Sequence, residues 1–261
     1  MAATDLLAYR IRRWSALTWI VIICAAVFIA VRIAGAIMTD GARSLVDWLA
    51  LPAYMPSALH RPWTPLTYMF THYDVFHLLF NMLWLYWFGI IFLSFSSSRR
   101  LLETYLAGGI AGAAVYLIFN LVASSDSGHS MIGASGAVLA VVAATTVMAP
   151  RLKLNLMLIG PVEIRWIAVT VVALDVISLG NGNPGAHLAH LAGAGAGAAF
   201  VIARRRMSLN GNKRNRTTVK SPANTPDDKA ELDRLLDKIR ISGYSSLTAE
   251  ERRILFEISR K

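Results

Sequence analysis

Three short polar motifs lie within apolar stretches of this sequence, and together they contain the side chains of an acyl-transfer site. The motifs are His77-Leu-Leu-Phe-Asn81, Gly133-Ala-Ser135-Gly136 and Ala189-His190-Leu-Ala-Gly193. An ionisable side chain is costly inside a membrane, so histidines in such stretches point to function. Acyl transfer needs a serine hydroxyl, an imidazole that accepts its proton and donors for a developing oxyanion.

The composition predicts that these motifs lie in a membrane. Apolar residues make up 55% of the 261 positions and charged residues only 16%, against about 25% charged in typical proteins. Windows of roughly 20 residues that are nearly free of charge occur at 16–38, 75–97, 102–123, 132–149, 166–181 and 187–203. Each is about long enough to cross the hydrocarbon core, although the fourth and fifth are short. We therefore predict an all-α membrane protein with six transmembrane helices.

The distribution of basic residues predicts the topology. A net charge of +10 would suggest nucleic acid in a soluble protein. Here the basic residues flank alternate ends of the predicted spans, which is the pattern of loops that stay on the cytoplasmic side. They are Arg10, Arg12 and Arg13, then Arg99 and Arg100, then Arg151 and Lys153, and finally Arg204 to Arg206. We expect a lipid bilayer and not nucleic acid as the partner, with both termini cytoplasmic in a bacterial plasma membrane.

The first span and the single cysteine exclude some alternatives. The span at 16–38 lacks a small-residue cleavage site, so it is predicted to be a retained helix and not a secretory signal. Cys24 lies inside that span. Disulfides and cysteine–histidine zinc sites are therefore excluded, and a thiol nucleophile is not expected.

Ser135 is the candidate nucleophile. It lies about 15 residues before Pro150, or roughly 23 Å along a helix, against a hydrocarbon thickness of about 30 Å. A helix that begins here directs free N–H groups at any negative charge that forms nearby. The alternative is that Gly133-Ala-Ser135-Gly136 is only a small-residue packing patch.

His190 is the candidate base because it shares a helix face with two glycines. Gly193 and Gly197 follow it at i+3 and i+7, and Gly136 and Ala140 form a matching ridge after Ser135. Small ridges let two membrane helices pack backbone to backbone. We therefore expect the imidazole of His190 within hydrogen-bond reach of the Ser135 hydroxyl.

His77 and Asn81 are candidate oxyanion donors, since residues at i and i+4 project from one face of a helix. An interhelical hydrogen bond is the alternative role for Asn81. A zinc site formed by His187 and His190 with His72 and His77 was also considered. No Asp or Glu accompanies these histidines in the spans except Asp175, which the predicted topology places away from the histidine ends. No metal and no cofactor are therefore predicted.

Two further segments are predicted outside the helical core. Residues 39–65 form an outer loop that is either an interfacial loop or an amphipathic flap. After the core at 1–206, we predict a flexible linker at 207–228 and a cytoplasmic helical hairpin at 229–261. Thr248 and Glu251 have the spacing of a capping box at the start of the second hairpin helix.

At the three motifs the sequence resembles a rhomboid intramembrane serine protease. They match the family's His-x-x-x-Asn pair, its Gly-x-Ser-x motif and its Ala-His-x-x-Gly-x-x-x-Gly motif, in that order, over a six-helix core at about 10–206. The resemblance implies a Ser135–His190 dyad without an acid. It also implies an oxyanion hole formed by His77, Asn81 and the Ser135 N–H, and cleavage of single-span membrane proteins near the outer membrane face.

The sequence departs from the family pattern at two positions. Thr64 follows Trp63 where many members have Trp-Arg, which affects how the outer loop is held. Leu139 stands where some members carry a tyrosine that stacks on the catalytic histidine, so the orientation of His190 must depend on other groups.

The predicted function is an intramembrane serine endopeptidase. A catalytically inactive rhomboid-like protein that binds membrane clients is the alternative. A transporter or channel would require inverted repeats or paired charges in the spans, and the sequence has neither.

Overall fold

The computed structural model describes residues 15–123, 130–156, 160–180, 183–218 and 226–260. The chain divides into two compact units, residues 1–204 and 205–261. The predicted basic cluster at Arg10, Arg12 and Arg13 and the linker residues 219–225 lie outside the described residues.

The described secondary structure is mostly helical. Before the first motif the helices are α1 (Ala16–Ile37), α2 (Gly41–Leu49), α3 (Met55–His60) and α4 (Thr64–Thr67). They are followed by α5 (Val75–Phe95), α6 (Ser98–Val122), α7 (Ser135–Met148), α8 (Ile164–Ser178) and α9 (Pro184–Thr218). The last helices are α10 (Pro226–Ser242) and α11 (Ala249–Arg260).

Four described helices are long and apolar enough to cross a membrane: α1, α5, α6 and residues Pro184–Met207 of α9. The fourth and fifth predicted spans are also helices, but α7 has only 14 residues and α8 only 15. At 1.5 Å per residue these two rise about 21 and 23 Å, less than the roughly 30 Å of the hydrocarbon core.

Helix α7 lies at the centre of the bundle. It packs against both α5 and α6, most of its side chains are buried, and the face with Ser135 and Leu139 is half-buried. A helix that is apolar all round is stable only when neighbours surround it. The residue at its first position, Ser135, is thereby held by the most enclosed helix of the core.

A two-stranded ribbon corrects the prediction of an all-helical core. Strands β1 (Lys153–Leu156) and β2 (Gly160–Glu163) pair antiparallel between α7 and α8. The alternation in Lys-Leu-Asn-Leu was too short to stand out from its apolar surroundings. Gly160, the first residue of β2, adopts a positive φ of 87°, which favours glycine. The ribbon ends directly before α8, which begins at Ile164.

The predicted outer loop at 39–65 contains two short helices, α2 and α3, and hydrogen bonds join the end of the loop to α2. The Nε1 of Trp63 donates to the carbonyl of Trp48, with a distance of 2.9 Å, and the two rings lie 5.0 Å apart. Arg61 donates to the carbonyl of Asp47 at 2.7 Å. Arg61, two positions before Trp63, therefore supplies a guanidinium contact to the loop although Thr64 replaces the arginine of the family pattern.

The second unit contains the predicted hairpin of α10 and α11. Its buried side chains are Leu235 of α10, Leu247 of the connection and Ile258 of α11. The capping box is confirmed: Thr248 N–H donates to Glu251 at 2.8 Å, and Glu251 N–H donates to the Thr248 hydroxyl at 3.3 Å. Hydrogen bonds from Lys238 and from Thr248 lower the pKa of Glu251 to about 2.

The linker prediction needs a correction at its start. Helix α9 continues to Thr218, so the first part of the predicted linker at 207–228 is helical, and α10 already begins at Pro226. No proline interrupts the chain between Pro184 and Pro222, so the helix can continue through this polar stretch. Composition alone therefore placed the end of the helix too early.

Candidate active site

The structure brings Ser135 and His190 together. The Ser135 Oγ lies 2.6 Å from the His190 Nε2, although the two residues are 55 positions apart. Ser135 is the first residue of α7, and His190 lies in the second turn of α9. The predicted contact is thus present, and it places a hydroxyl against the nitrogen that can take its proton.

Glycines allow this contact by bringing α7 and α9 together at their backbones. A Cβ added to Gly193 would collide with the carbonyl oxygen of Gly136, and one added to Gly197 would collide with that of Ala140. The predicted pairing of small ridges is therefore confirmed. With larger residues at these positions the two helices could not lie close enough for the Ser135–His190 contact.

Asp175 corrects the predicted layout. Its Oδ1 lies 2.9 Å from the His190 Nδ1, so the carboxylate is not away from the histidines as the predicted topology had it. Helix α8 ends at Ser178 and α9 begins at Pro184, so a short connection brings the last turn of α8 beside the first turns of α9. The prediction had assigned the fifth span to 166–181, which placed Asp175 near its middle.

The same carboxylate oxygen also meets a second histidine, since the His187 Nδ1 lies 2.8 Å from Asp175 Oδ1. The ligand atoms of Asp175, His187 and His190 lie within 4.8 Å of one another, and two imidazoles with a carboxylate suit a divalent metal such as Zn²⁺. In this arrangement the Oδ1 of Asp175 accepts a hydrogen bond from each of the two imidazoles. His72 and His77, which the zinc alternative had added, pair with each other at a ring distance of 5.1 Å.

The two candidate oxyanion donors lie on the first turns of α5. Asn81 is buried, and its Nδ2 donates one hydrogen bond to the His77 carbonyl at 2.9 Å, within its own helix. A primary amide carries two N–H groups, so a second one remains. The His77 ring lies against Gly133, where an added Cβ would be 2.5 Å from the ring Cε1. Gly133 has a φ of 117°, which favours glycine.

The segment before Ser135 is held from three sides. Met131 and Leu51 exchange two backbone hydrogen bonds of 2.8 and 2.9 Å, and Gly133 N–H donates to the carbonyl of Tyr68 at 2.9 Å. Ala134 N–H donates to the Nε2 of His72 at 3.4 Å. Burial lowers the pKa of His72 to about 4, which keeps that nitrogen an acceptor at neutral pH. The position of the serine is therefore set by contacts outside its own helix.

A largely apolar cavity of about 390 Å³ reaches these side chains. Its lining includes Ser135, His190, Asp175, His187, Asn81 and Leu139. Leu139 is the residue that replaces the stacking tyrosine of some family members. In this chain the imidazole of His190 is held by its hydrogen bond to Asp175.

Sequence comparison places these features in a known family. The Rhomboid domain matches residues 59–207, which is more than half of the chain and includes all three motifs. A bundle of apolar helices with a serine and a histidine in contact in the lining of a cavity defines a membrane protein with a candidate serine-hydrolase site. The chain belongs to the rhomboid family. Residues 224–261, the hairpin, match a family of unknown function.

Three relatives illustrate the range of similarity. The chain is 32% identical to "RHOMBOID-like protein 12, mitochondrial" of Arabidopsis thaliana, over 56% of this chain and 46% of that protein. It is 34% identical to "Presenilin-associated rhomboid-like protein A, mitochondrial" of Danio rerio, over 48% and 33%. It is 30% identical to "Rhomboid protease GlpG" of Klebsiella pneumoniae, over 76% and 65%. The chain thus spans less than half the length of the plant and fish relatives.

Proposed function

We propose that this protein is an intramembrane serine endopeptidase. The observation that carries the proposal is the 2.6 Å contact between Ser135 Oγ and His190 Nε2 at an apolar cavity among membrane helices. Similarity to a bacterial rhomboid protease over 76% of the chain supports the same reaction. No cofactor takes part in the proposed chemistry.

The first half of the reaction forms an acyl-enzyme. Ser135 Oγ attacks the carbonyl carbon of the scissile peptide while its proton passes to His190 Nε2. The negative charge that forms on the carbonyl oxygen is stabilised by the Ser135 N–H, the Asn81 amide and the His77 imidazole. His190 then gives its proton to the leaving nitrogen, the C–N bond breaks, and an ester to Ser135 remains.

The second half releases the acyl group. A water molecule gives its proton to His190 Nε2 and attacks the ester carbonyl, and the same donors stabilise the second oxyanion. The bond to Ser135 Oγ breaks and the hydroxyl recovers its proton from His190. The first N–H groups of a helix lack a carbonyl partner within that helix, so the Ser135 N–H at the start of α7 suits this anion.

Single-span membrane proteins are the proposed substrates, cut near the outer membrane face. The cavity is mostly apolar, as the side chains of a transmembrane segment require. The short helix α7 supports cleavage within the membrane, below its outer surface. Its 14 residues are too few to span the hydrocarbon core, and Ser135 is its first residue.

The proposed topology has six spans, with α7 and α8 as short fourth and fifth helices and both termini in the cytoplasm of a bacterial cell. Basic residues at 99–100, 151–153 and 204–206 support the orientation. It can be tested because Cys24 is buried and is the only cysteine. Cysteines introduced at Arg99 and Tyr54 should differ: only the one at position 54 should react with an impermeant maleimide added to intact cells.

The proposed activity is tested with the full-length protein in detergent and a labelled single-span substrate. Wild type should cleave the substrate, and Ser135→Ala should abolish cleavage while the variant keeps its thermal unfolding temperature. An inactive, client-binding rhomboid-like protein would instead hold the substrate without cutting it. Intact substrate after incubation with well-folded wild type would contradict the proposal, as would equal cleavage by Ser135→Ala.

A further inference from the structure

The side chains of Asp175, His190 and Ser135 are connected in series. Asp175 Oδ1 faces the Nδ1 of His190 at 2.9 Å, and the opposite nitrogen, Nε2, faces Ser135 Oγ at 2.6 Å. An ionised carboxylate only accepts hydrogen bonds, so the imidazole places its N–H on Nδ1. The nitrogen that faces the serine is then the unprotonated one, as a general base requires.

We propose that Asp175 is a positioning residue for His190, so that the site works as a Ser135–His190–Asp175 series and not as a pair without an acid. This inference rests on the proposed peptidase function. The carboxylate fixes the tautomer and the ring orientation of His190. It also stabilises the positive charge that the imidazole carries after it has taken the serine proton.

Burial supports a specific role for this carboxylate. Asp175 is 8% exposed, and removing a charged group from water is costly unless it is hydrogen-bonded. Its two hydrogen bonds in the described structure both come from imidazoles, those of His187 and His190. Asp175 faces the Nδ1 of His190, the ring nitrogen opposite the one that faces Ser135. This arrangement supports a role in positioning His190 and not only in joining two helices.

The absence of a ring at Leu139 makes this support necessary. Leu139 follows Ser135 by four positions and lines the same cavity, but it offers no hydrogen bond and no aromatic face to an imidazole. The backbone contact at Gly193 holds the helix that carries His190, but it does not determine the rotation of the ring. The hydrogen bond to Asp175 does.

His187 provides an internal comparison because it binds the same oxygen without contacting the serine. The His187 and His190 rings are perpendicular, with centroids 6.0 Å apart. Replacing His187 by glutamine removes one hydrogen bond from the carboxylate and leaves the Asp175–His190 contact in place. If Asp175 only joined the helices, loss of either contact would impair the protein. If it positions His190, loss of the His187 contact should have little effect on turnover.

The experiment measures kcat and KM of full-length wild type, Asp175→Asn and His187→Gln on the labelled single-span substrate, with thermal unfolding in the same detergent. In Asp175→Asn the amide NH₂ can face Nδ1 and favour the tautomer with its proton toward the serine. We expect kcat to fall by about 10²- to 10⁴-fold with KM little changed, in line with the loss seen for the equivalent change in other serine proteases. His187→Gln should lower kcat by less than about tenfold.

The possible outcomes separate this inference from the proposed function. If Ser135→Ala is inactive but Asp175→Asn keeps wild-type kcat, the positioning role is wrong and the peptidase function stands. Equal losses in Asp175→Asn and His187→Gln would also overturn the positioning role. If Asp175→Asn does not fold, Asp175→Ser takes its place, and failure of both to fold would show that Asp175 is structural. If Ser135→Ala remains active, the proposed function itself fails.

Discussion

Gly193 lies against the carbonyl oxygen of Gly136, closely enough that a single added methyl group would overlap it. Gly136 follows the candidate nucleophile by one residue, and Gly193 follows the candidate base by three. The distance between the two reactive side chains is therefore set by the approach of two backbones, and two small residues on facing helices control it.

Gly193→Ala is expected to impair both stability and turnover. The added Cβ meets backbone and not a flexible side chain, so α7 and α9 must separate, at a cost of about 1–3 kcal/mol. The Ser135–His190 contact should lengthen and the cleavage rate should fall. Gly195→Ala is the matched control, since a Cβ there meets nothing within 4 Å. If Gly193→Ala unfolds and cleaves like Gly195→Ala, the close packing does not position the site.

Asn81→Ala should lower turnover without abolishing it. It removes one oxyanion donor, which typically costs about 10²–10³ in rate, while the Ser135 N–H remains. Asn120→Ala is the matched control, because Asn120 makes the same bond to the carbonyl four residues earlier, at 2.8 Å, but in α6. Measured kcat values that are equal for the two variants would return Asn81 to a packing role.

The stability of the protein should fall as the pH drops below about 6.5, in part because of His72. Burial lowers the pKa of this residue from 6.5 to about 4, so between these values the unfolded chain binds a proton that the folded chain does not. The contribution of His72 to the free energy of unfolding is therefore fully present above pH 6.5. It decreases by up to about 1.4 kcal/mol per pH unit as the pH falls to 4.

His72→Gln removes this titration, and its unfolding temperature should depend less steeply on pH than that of wild type. Parallel curves for the two proteins between pH 7 and 4 would show that His72 does not contribute.

Truncation after Arg206 should leave the cleavage rate close to that of the full-length protein. All the proposed catalytic side chains lie before residue 200, and the hairpin belongs to a separate compact unit. Arg204, whose Nη2 lies 2.7 Å from Glu103 Oε2, is retained and holds the end of the span. Loss of cleavage by a truncated core with an unchanged unfolding temperature would show that the tail shapes the active site.

The sequence predicted the contact between Ser135 and His190 because local patterns determine it. Charge-free windows predicted the apolar helices, four of which are long enough to cross a membrane. Glycines at i+3 and i+7 from His190 predicted the face that packs on α7. These signals lie within single helices, so they can be read without knowing how the helices are arranged. The same holds for the capping box at Thr248.

Asp175 was missed because its position depends on where two helices end. A shift of a few residues in the end of α8 moves its side chain from the middle of the span to the level of His190. The strands that precede α8 have four residues each and carry little sequence signal, so the bounds of α8 were not predicted closely. The spacing of Asp175, His187 and His190 on two helices joined by a short connection was the one clue available.

The most direct test of the account is covalent labelling of the full-length protein with a fluorophosphonate, which reacts with activated serine hydroxyls. The site of attachment is then located by mass spectrometry. The account predicts a single modified residue, Ser135, with labelling lost in Ser135→Ala and strongly reduced in His190→Ala. Labelling that persists in folded Ser135→Ala, or that proceeds at the wild-type rate in His190→Ala, would contradict it.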